Sequence, residues 1–122
     1  MFAGRLWEGL QALSDNGFSC VELSLRSVND VSSTELRKRL DELNLKVSAF
    51  ATGQACLFDR LCLGCDDPNQ RKSAVDHFKR ITDFALEVGA GAVIIGGIRG
   101  RLSGTGEDYH RNMKNGIQAI RE

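Results

Sequence analysis

The chain has 122 residues, enough for one small domain with a hydrophobic core but not for two. Sixteen basic residues balance sixteen acidic ones, which excludes the strongly basic surface expected of a partner for nucleic acid or anionic membrane. No apolar run could cross a bilayer, no export signal opens the chain, and four cysteines without such a signal favour a cytoplasmic protein with reduced thiols.

Along the chain, one order of structure occurs three times: an amphipathic helix, a Gly or Asn stop, and a short apolar strand. Gly and Asn suit the stop because this residue often adopts a left-handed backbone, which a Cβ atom disfavours. Ser32 with Glu35, and Asp67 with Pro68 and Gln70, have the capping-box spacing of helix starts. The predicted stops are Gly17, Asn44 and Gly89, the predicted strands are 18–25, 45–52 and 92–97, and a fourth helix is predicted to follow a cap at Thr105.

Strands that alternate with helices predict βαβ units and a parallel sheet. Strict alternation of side chains would place Val21 opposite Glu22, and Val47 opposite Phe50. One apolar face and one mixed face favour a β/α barrel over a doubly wound sheet, in which both faces meet helices. A closed barrel takes about 250 residues. We therefore predict an α/β fold, a partial (β/α)8 TIM barrel of about three parallel strands and four helices, with 1–122 as a single partial domain.

Three segments carry a family resemblance. NGFSCVELSLR has the order G-F-x-x-V-E-L, LNLKVSAFATGQA reads as a strand and the start of its loop, and DDPNQRKSAVDHFKRITDFALEVGAGAVIIGGIRGRL joins D-P-x-x-R to a helix ending in A-x-x-x-G-A. Together they resemble the sugar phosphate isomerase/epimerase family, whose fold is the xylose isomerase-like TIM barrel. The pairing of A-T-G-Q-A with G-x-I-R-G-R resembles members that act on keto-sugars or sugar acids in carbohydrate metabolism.

The resemblance implies a metal-dependent isomerase or epimerase that transfers a proton next to a carbonyl. In that family two Glu, one Asp and one His of later strands hold a divalent metal, Mn or Mg, and the two Glu also move the proton. On this alignment the first strand and everything after the fourth helix are missing. We therefore expect no catalytic residue, no metal ligand and no cofactor on this chain alone, although the intact family enzyme would use the metal.

Cys56, Cys62 and Cys65 lie within ten residues, and three interpretations apply. A zinc site needs a fourth ligand and usually a second close pair, which the sequence lacks. A thioredoxin-type pair needs a stabilised thiolate, which the charges of Asp66 and Asp67 oppose. We expect a long βα loop in which the cysteines serve as small apolar contacts, and no bound zinc.

The predicted substrate-binding residues lie at strand ends or on the inner face of a strand: Glu22, Thr52, Gly53, Gln54, Arg99 and Arg101. A buried Glu22 would need a cation, such as Arg26, or a ligand. Gly53 allows close approach of a ligand or forms a plain turn, and Arg99 or Arg101 could bind a carboxylate or phosphate or form a salt bridge at the rim. Two further expectations are that both histidines, His77 and His110, lie on the surface, and that Trp7 lies in the core.

The expected partner is therefore a small sugar or sugar acid, with no nucleic acid and no membrane. Two alternatives belong to other function classes. An endonuclease IV-like DNA-repair barrel shares the superfamily, but its metal cluster draws on histidines at early strand ends, where this chain has Thr52, Gly53, Gly96 and Gly97. A non-catalytic half-barrel module could instead form a homo-oligomer by pairing its open sheet edges with a second copy.

Overall fold

The structure is a computed structural model that describes residues 4–100 and 106–122. Its parallel strands are β1 (Cys20–Leu23), β2 (Lys46–Ala51) and β3 (Val93–Ile94). The helices are α1 (Leu6–Asp15), α2 (Ser33–Glu42), α3 (Gly53–Asp59), α4 (Pro68–Val88) and α5 (Glu107–Arg121). Short 3₁₀ turns at Val28–Asp30 and Gly97–Arg99 follow β1 and β3. No helix within these residues is long and apolar enough to cross a membrane.

The sheet confirms the predicted topology. Its strands are hydrogen-bonded in the order β1-β2-β3, and both neighbouring pairs are parallel. Helices alternate with these strands, which is the arrangement of part of a TIM barrel. The predicted number of helices was one too low, because Gly53–Asp59 forms α3 where we had expected only a loop.

All three predicted helix stops have the left-handed backbone expected of them. The φ angles are +78° at Gly17, +54° at Asn44 and +80° at Gly89. After each stop, the next amide donates to a carbonyl five residues earlier, as in the bond from Leu45 to Leu40 at 2.9 Å. The predicted caps are also present: Ser32 accepts from the amide of Glu35, and Asp67 accepts from the amide of Asn69. The predicted cap at Thr105 lies outside the described residues.

A β-bulge at Ser48 changes the faces predicted for β2. Val47 pairs with Val21, but Glu22 pairs with Ala49, so Ser48 has no partner in the ladder. The Ser48 hydroxyl instead donates to the carbonyl of Val21 at 3.1 Å. One extra residue inverts the side-chain alternation beyond it.

The bulge places Phe50 on the same side of the sheet as Val47, not opposite it. Both belong to the core between the sheet and the helices, and the Phe50 ring meets Phe84 of α4 edge to face at 5.5 Å. The prediction from strict alternation was therefore wrong for Phe50. Glu22 and Ala49, paired across the strands, share the opposite face.

Two apolar clusters hold the elements together. The larger one joins α1, α2, α4 and the sheet, and the smaller one joins α3, α4, α5 and the second 3₁₀ turn. Leu10 lies in the larger cluster, but Trp7, which we expected beside it, is 36% exposed. The prediction that Trp7 lies in the core was wrong, because this residue lies at the start of α1, beside the free edge of β1.

Candidate functional site

The carboxyl ends of β2 and β3 are tied together by Thr52. Its hydroxyl donates to the carbonyl of Ile94 at 3.0 Å and accepts from the amide of Gly96 at 3.3 Å. The side chain is fully buried, at 0% exposure. Thr52 therefore positions the two strand ends and does not present its hydroxyl to a ligand in solution.

Gln54 ties the start of α3 to the end of β1. Its side-chain amide donates to the carbonyl of Ser24 at 2.9 Å, and the Ser24 hydroxyl donates to the carbonyl of Ala51 at 3.3 Å. The carbonyl oxygen of the Gln54 side chain forms no hydrogen bond within the part of the chain that the structure describes. Gln54 thus combines a fixed position with a free acceptor.

Gly53 lies where α3 approaches the second 3₁₀ turn. A Cβ atom added to Gly97 would lie 3.2 Å from Cβ of Cys56 and 3.4 Å from Cα of Gly53. An added Cβ on Gly53 itself would meet nothing within 4 Å. A side chain at position 97 would therefore press against Cys56, whereas Gly53 faces open space.

Glu22 is exposed and forms no ion pair or hydrogen bond through its side chain among the described residues. The suggested ion pair with Arg26 is wrong: Arg26 binds Asp59, with 2.7 Å between Nη2 and Oδ1 and two further contacts from Nε. Glu22 lines a cleft of about 790 Å³ between α1 and the free edge of β1, with Ser24 and Gln54. Its carboxylate is therefore open to a ligand.

The two predicted arginines have different outcomes. Arg99 lies in the second 3₁₀ turn, and its exposed guanidinium forms no ion pair or hydrogen bond within residues 4–100 and 106–122. Its main-chain carbonyl accepts from the amide of Gly64 at 3.1 Å, which fixes the backbone. Arg101 lies outside the described residues.

The cysteine-rich segment is a helix followed by a tight loop. Cys56 lies in α3, which ends at Arg60 with φ +55°, and Cys62 and Cys65 flank a turn at Leu63 and Gly64. No three His, Cys, Asp or Glu side chains come together as a metal site in the described part of the chain. The two acidic groups nearest the turn already have partners: Asp66 binds Arg111 at 2.8 Å, and Asp67 accepts from the amide of Asn69.

His77 is a residue that the sequence prediction misplaced. It is only 7% exposed, and its Nε2 atom has no hydrogen-bond partner among the described residues. Burial, and then the charge of Arg80, lower its pKa, while Asp59 opposes that shift. The spacing of His77 from Ala74 and Ile81 places it on the buried stripe of α4, and this signal could have found it. His110 is exposed, as expected.

Comparisons with known proteins agree with this fold. The family model described as xylose isomerase-like TIM barrel matches residues 10–122. A crystal structure of D-psicose 3-epimerase in the presence of D-fructose superposes on 94% of this chain, with a TM-score of 0.70 and 15% sequence identity. This chain covers 40% of the length of that chain. At that identity the likeness shows the fold alone, and no curated protein sequence matches.

Proposed function

Because the chain belongs to the xylose isomerase-like TIM barrel family, we propose that its strand-end face supplies substrate-binding groups of a sugar isomerase or epimerase. The observation that carries the proposal is the convergence of Glu22, Gln54 and Ser24 on one cleft at the carboxyl end of β1. In TIM barrels, loops at this end of the strands form the site. The fold likeness to a D-psicose 3-epimerase adds support for a keto-sugar.

The free groups of this face suit a polyhydroxylated ligand. The Glu22 carboxylate and the Gln54 side-chain carbonyl are acceptors for sugar hydroxyls, since neither has a partner within the described residues. The Arg99 guanidinium offers donors that match a carboxylate or phosphate in two places at once. Arg99 would thus select a sugar acid or a sugar phosphate, and Arg101 of the same segment would add a second cation.

These residues would bind and orient the sugar, but they do not suffice for the proton transfer. Proton transfer next to a carbonyl needs a positioned base and a group that stabilises the developing oxyanion. A bound Mn or Mg ion would stabilise the oxyanion, but hard divalent ions take several oxygen ligands that converge on one point. Glu8, Glu22 and Asp30 all line the cleft, but no three His, Cys, Asp or Glu side chains converge as a metal site within the described residues, so this face does not fit such an ion. Base and ligands would have to come from residues other than these.

A second candidate is a half-barrel module that associates with another copy. Since the sheet order is β1-β2-β3, β1 and β3 both have a free edge. Ile94 on β3 is 39% exposed, which leaves apolar surface beside one of these edges. Size-exclusion chromatography at two protein concentrations separates the candidates, because a discrete dimer at the lower concentration supports association.

Ligand titration followed by amide NMR tests sugar binding. Ketohexoses, keto-sugar acids and their phosphates should shift the side-chain amide signals of Gln54 and the backbone signals around Arg99. The substitutions Gln54→Ala and Arg99→Ala should each weaken binding about tenfold, the loss of one or two hydrogen bonds. Gln118→Ala, on the exposed side of α5, is the matched control and should leave binding unchanged. Shifts confined to surfaces away from the strand ends would refute the proposal.

A further inference from the structure

Cys62 and Cys65 lie at the two ends of one turn. Leu63 and Gly64 form its middle, and four residues that make a turn hold their outer Cα atoms within about 7 Å. A disulfide spans Cα atoms about 4.4–6.8 Å apart. The backbone of this turn therefore already has the separation that a disulfide needs.

The turn is held in place by its neighbours. The amide of Leu63 donates to the carbonyl of Ile98 at 2.8 Å, and that of Gly64 to the carbonyl of Arg99 at 3.1 Å. A Cβ atom on Gly64 would lie 2.9 Å from the Arg99 carbonyl oxygen, so the two segments are in close contact. The Arg71 guanidinium and the Asn115 amide both donate to the carbonyl of Cys65. The thiols are thus carried by a fixed backbone.

The Cys65 thiol lies against the main chain of Cys62. The Cys65 thiol donates to the carbonyl of Cys62 at 3.0 Å. Burial, followed by the neighbouring Cys62 thiol, raises the pKa of Cys65 to about 11. Both residues are partly buried and remain reachable. A thiol of high pKa does not suit catalytic thiol exchange, which needs the thiolate. Such a thiol is also a poor leaving group, and this makes a disulfide that contains it slower to break.

We propose that Cys62 and Cys65 form a modification site, at which a small disulfide such as glutathione disulfide converts the pair into an intraloop disulfide. The Cys62 thiolate attacks one glutathione sulfur, forms a mixed disulfide and releases one glutathione thiolate. Cys65 then loses its proton, attacks the Cys62 sulfur and releases the second glutathione thiolate. The protein loses two hydrogens and two electrons, and glutathione disulfide becomes two glutathione thiols.

The bond would fasten the turn against the segment that carries Arg99. Because the amides of Leu63 and Gly64 bond to the carbonyls of Ile98 and Arg99, closing the turn reduces the freedom of both partners at once. The oxidised protein should therefore show slower hydrogen exchange at these two amides than the reduced protein. The proposal does not rest on sugar binding.

Peptide mapping tests the proposal on the full chain. Reduced protein is incubated in glutathione buffers of increasing oxidised fraction, quenched with acid, alkylated and digested with trypsin. Cleavage after Arg60 and Arg71 gives a peptide that contains Cys62 and Cys65 and no other cysteine, while Cys56 and Cys20 fall in the peptides 47–60 and 6–26. The expected product is the 61–71 peptide, lighter by two hydrogens and not alkylated.

Single substitutions provide the controls. In Cys65→Ser the 61–71 peptide should carry one glutathione on Cys62, since the second step is blocked. Cys56→Ser should form the same intraloop bond as the unaltered chain. The proposal is overturned if Cys62 and Cys65 both stay alkylated, or both carry glutathione, in buffers that already modify the exposed Cys20. A crosslink between the 61–71 and 47–60 peptides would overturn it as well.

Discussion

The hydroxyl of Thr52 donates a hydrogen bond of 3.0 Å to the main-chain carbonyl of Ile94 and thereby joins the carboxyl ends of β2 and β3. The same oxygen accepts from the amide of Gly96. Because β3 is only two residues long, this side chain supplies much of the pairing at the site end of the sheet. This contact therefore helps to position α3 and the second 3₁₀ turn, which follow the two strand ends.

Thr52→Val keeps the shape of the side chain and removes both hydrogen bonds. The carbonyl of Ile94 and the amide of Gly96 still bond to each other at 2.9 Å, but each loses its bond to the buried Thr52 side chain, so unfolding should become easier by about 1–3 kcal/mol. Urea denaturation gives this value. Thr82→Val is the matched control, because Thr82 donates to the carbonyl of Phe78 within its own helix, where a backbone amide also serves that carbonyl. Equal losses in the two variants would contradict the role given to Thr52.

Gly64→Ala tests the close contact between the cysteine turn and the second 3₁₀ turn. The new Cβ would lie 2.9 Å from the carbonyl oxygen of Arg99 and 3.1 Å from that of Asn112. Both are backbone atoms, so the two segments must separate, at a cost of about 1–3 kcal/mol in thermal or urea unfolding. Gly53→Ala, whose added methyl meets nothing within 4 Å, should leave stability unchanged or raise it. A Gly64→Ala protein as stable as Gly53→Ala would show that the contact is absent.

Sequence reasoning predicted the sheet and the helix ends because local chemistry determines them. Gly17, Asn44 and Gly89 stop helices through their own backbone preference, and the Ser32 cap needs only a residue three positions away. Parallel pairing follows from the helical connections between the strands. These features depend on neighbours in the chain, which a sequence displays directly.

The parts that sequence reasoning missed depend on contacts between distant segments. The bulge at Ser48 arises from the register of β1 against β2, which alternation along one strand does not reveal. Arg26 forms its ion pair with Asp59, 33 positions away in the sequence, and not with the nearby Glu22. Helix α3 is short and has little amphipathic periodicity, so it depends on its packing against the second 3₁₀ turn, which the sequence does not reveal. For the same reason the sequence did not show which polar groups of the predicted site residues are free and which have hydrogen-bond partners.

His77 predicts a pH dependence of stability. Its pKa is lowered in the fold by burial and by Arg80, with Asp59 acting in the opposite direction, whereas an unfolded histidine has a pKa of about 6.5. The unfolded chain therefore binds the proton more readily, so the contribution of His77 is fully present above about pH 6.5 and is lost as the pH falls. Urea midpoints measured at about pH 7.5 and about pH 5.5 should show a lower value in acid.

Two variants isolate this histidine. His77→Leu fills the buried position with an apolar side chain that does not titrate, so the difference between the two urea midpoints should become smaller. His110→Gln removes the exposed histidine of α5 and should keep the difference of the unaltered chain. If His77→Leu retains the full difference, another group causes it and the assignment to His77 fails.

The central claim is that this chain carries groups that hold a sugar but not the groups that transform it. The most direct measurement incubates the purified 122-residue chain with ketohexoses, keto-sugar acids and their phosphates in the presence of manganese, and follows products by chromatography. The account predicts no isomerisation or epimerisation of any member of the panel, because no three side chains converge as a metal site within the described residues and Glu22 cannot both bind an ion and move a proton. Turnover that disappears on Glu22→Gln would contradict the account and make Glu22 catalytic.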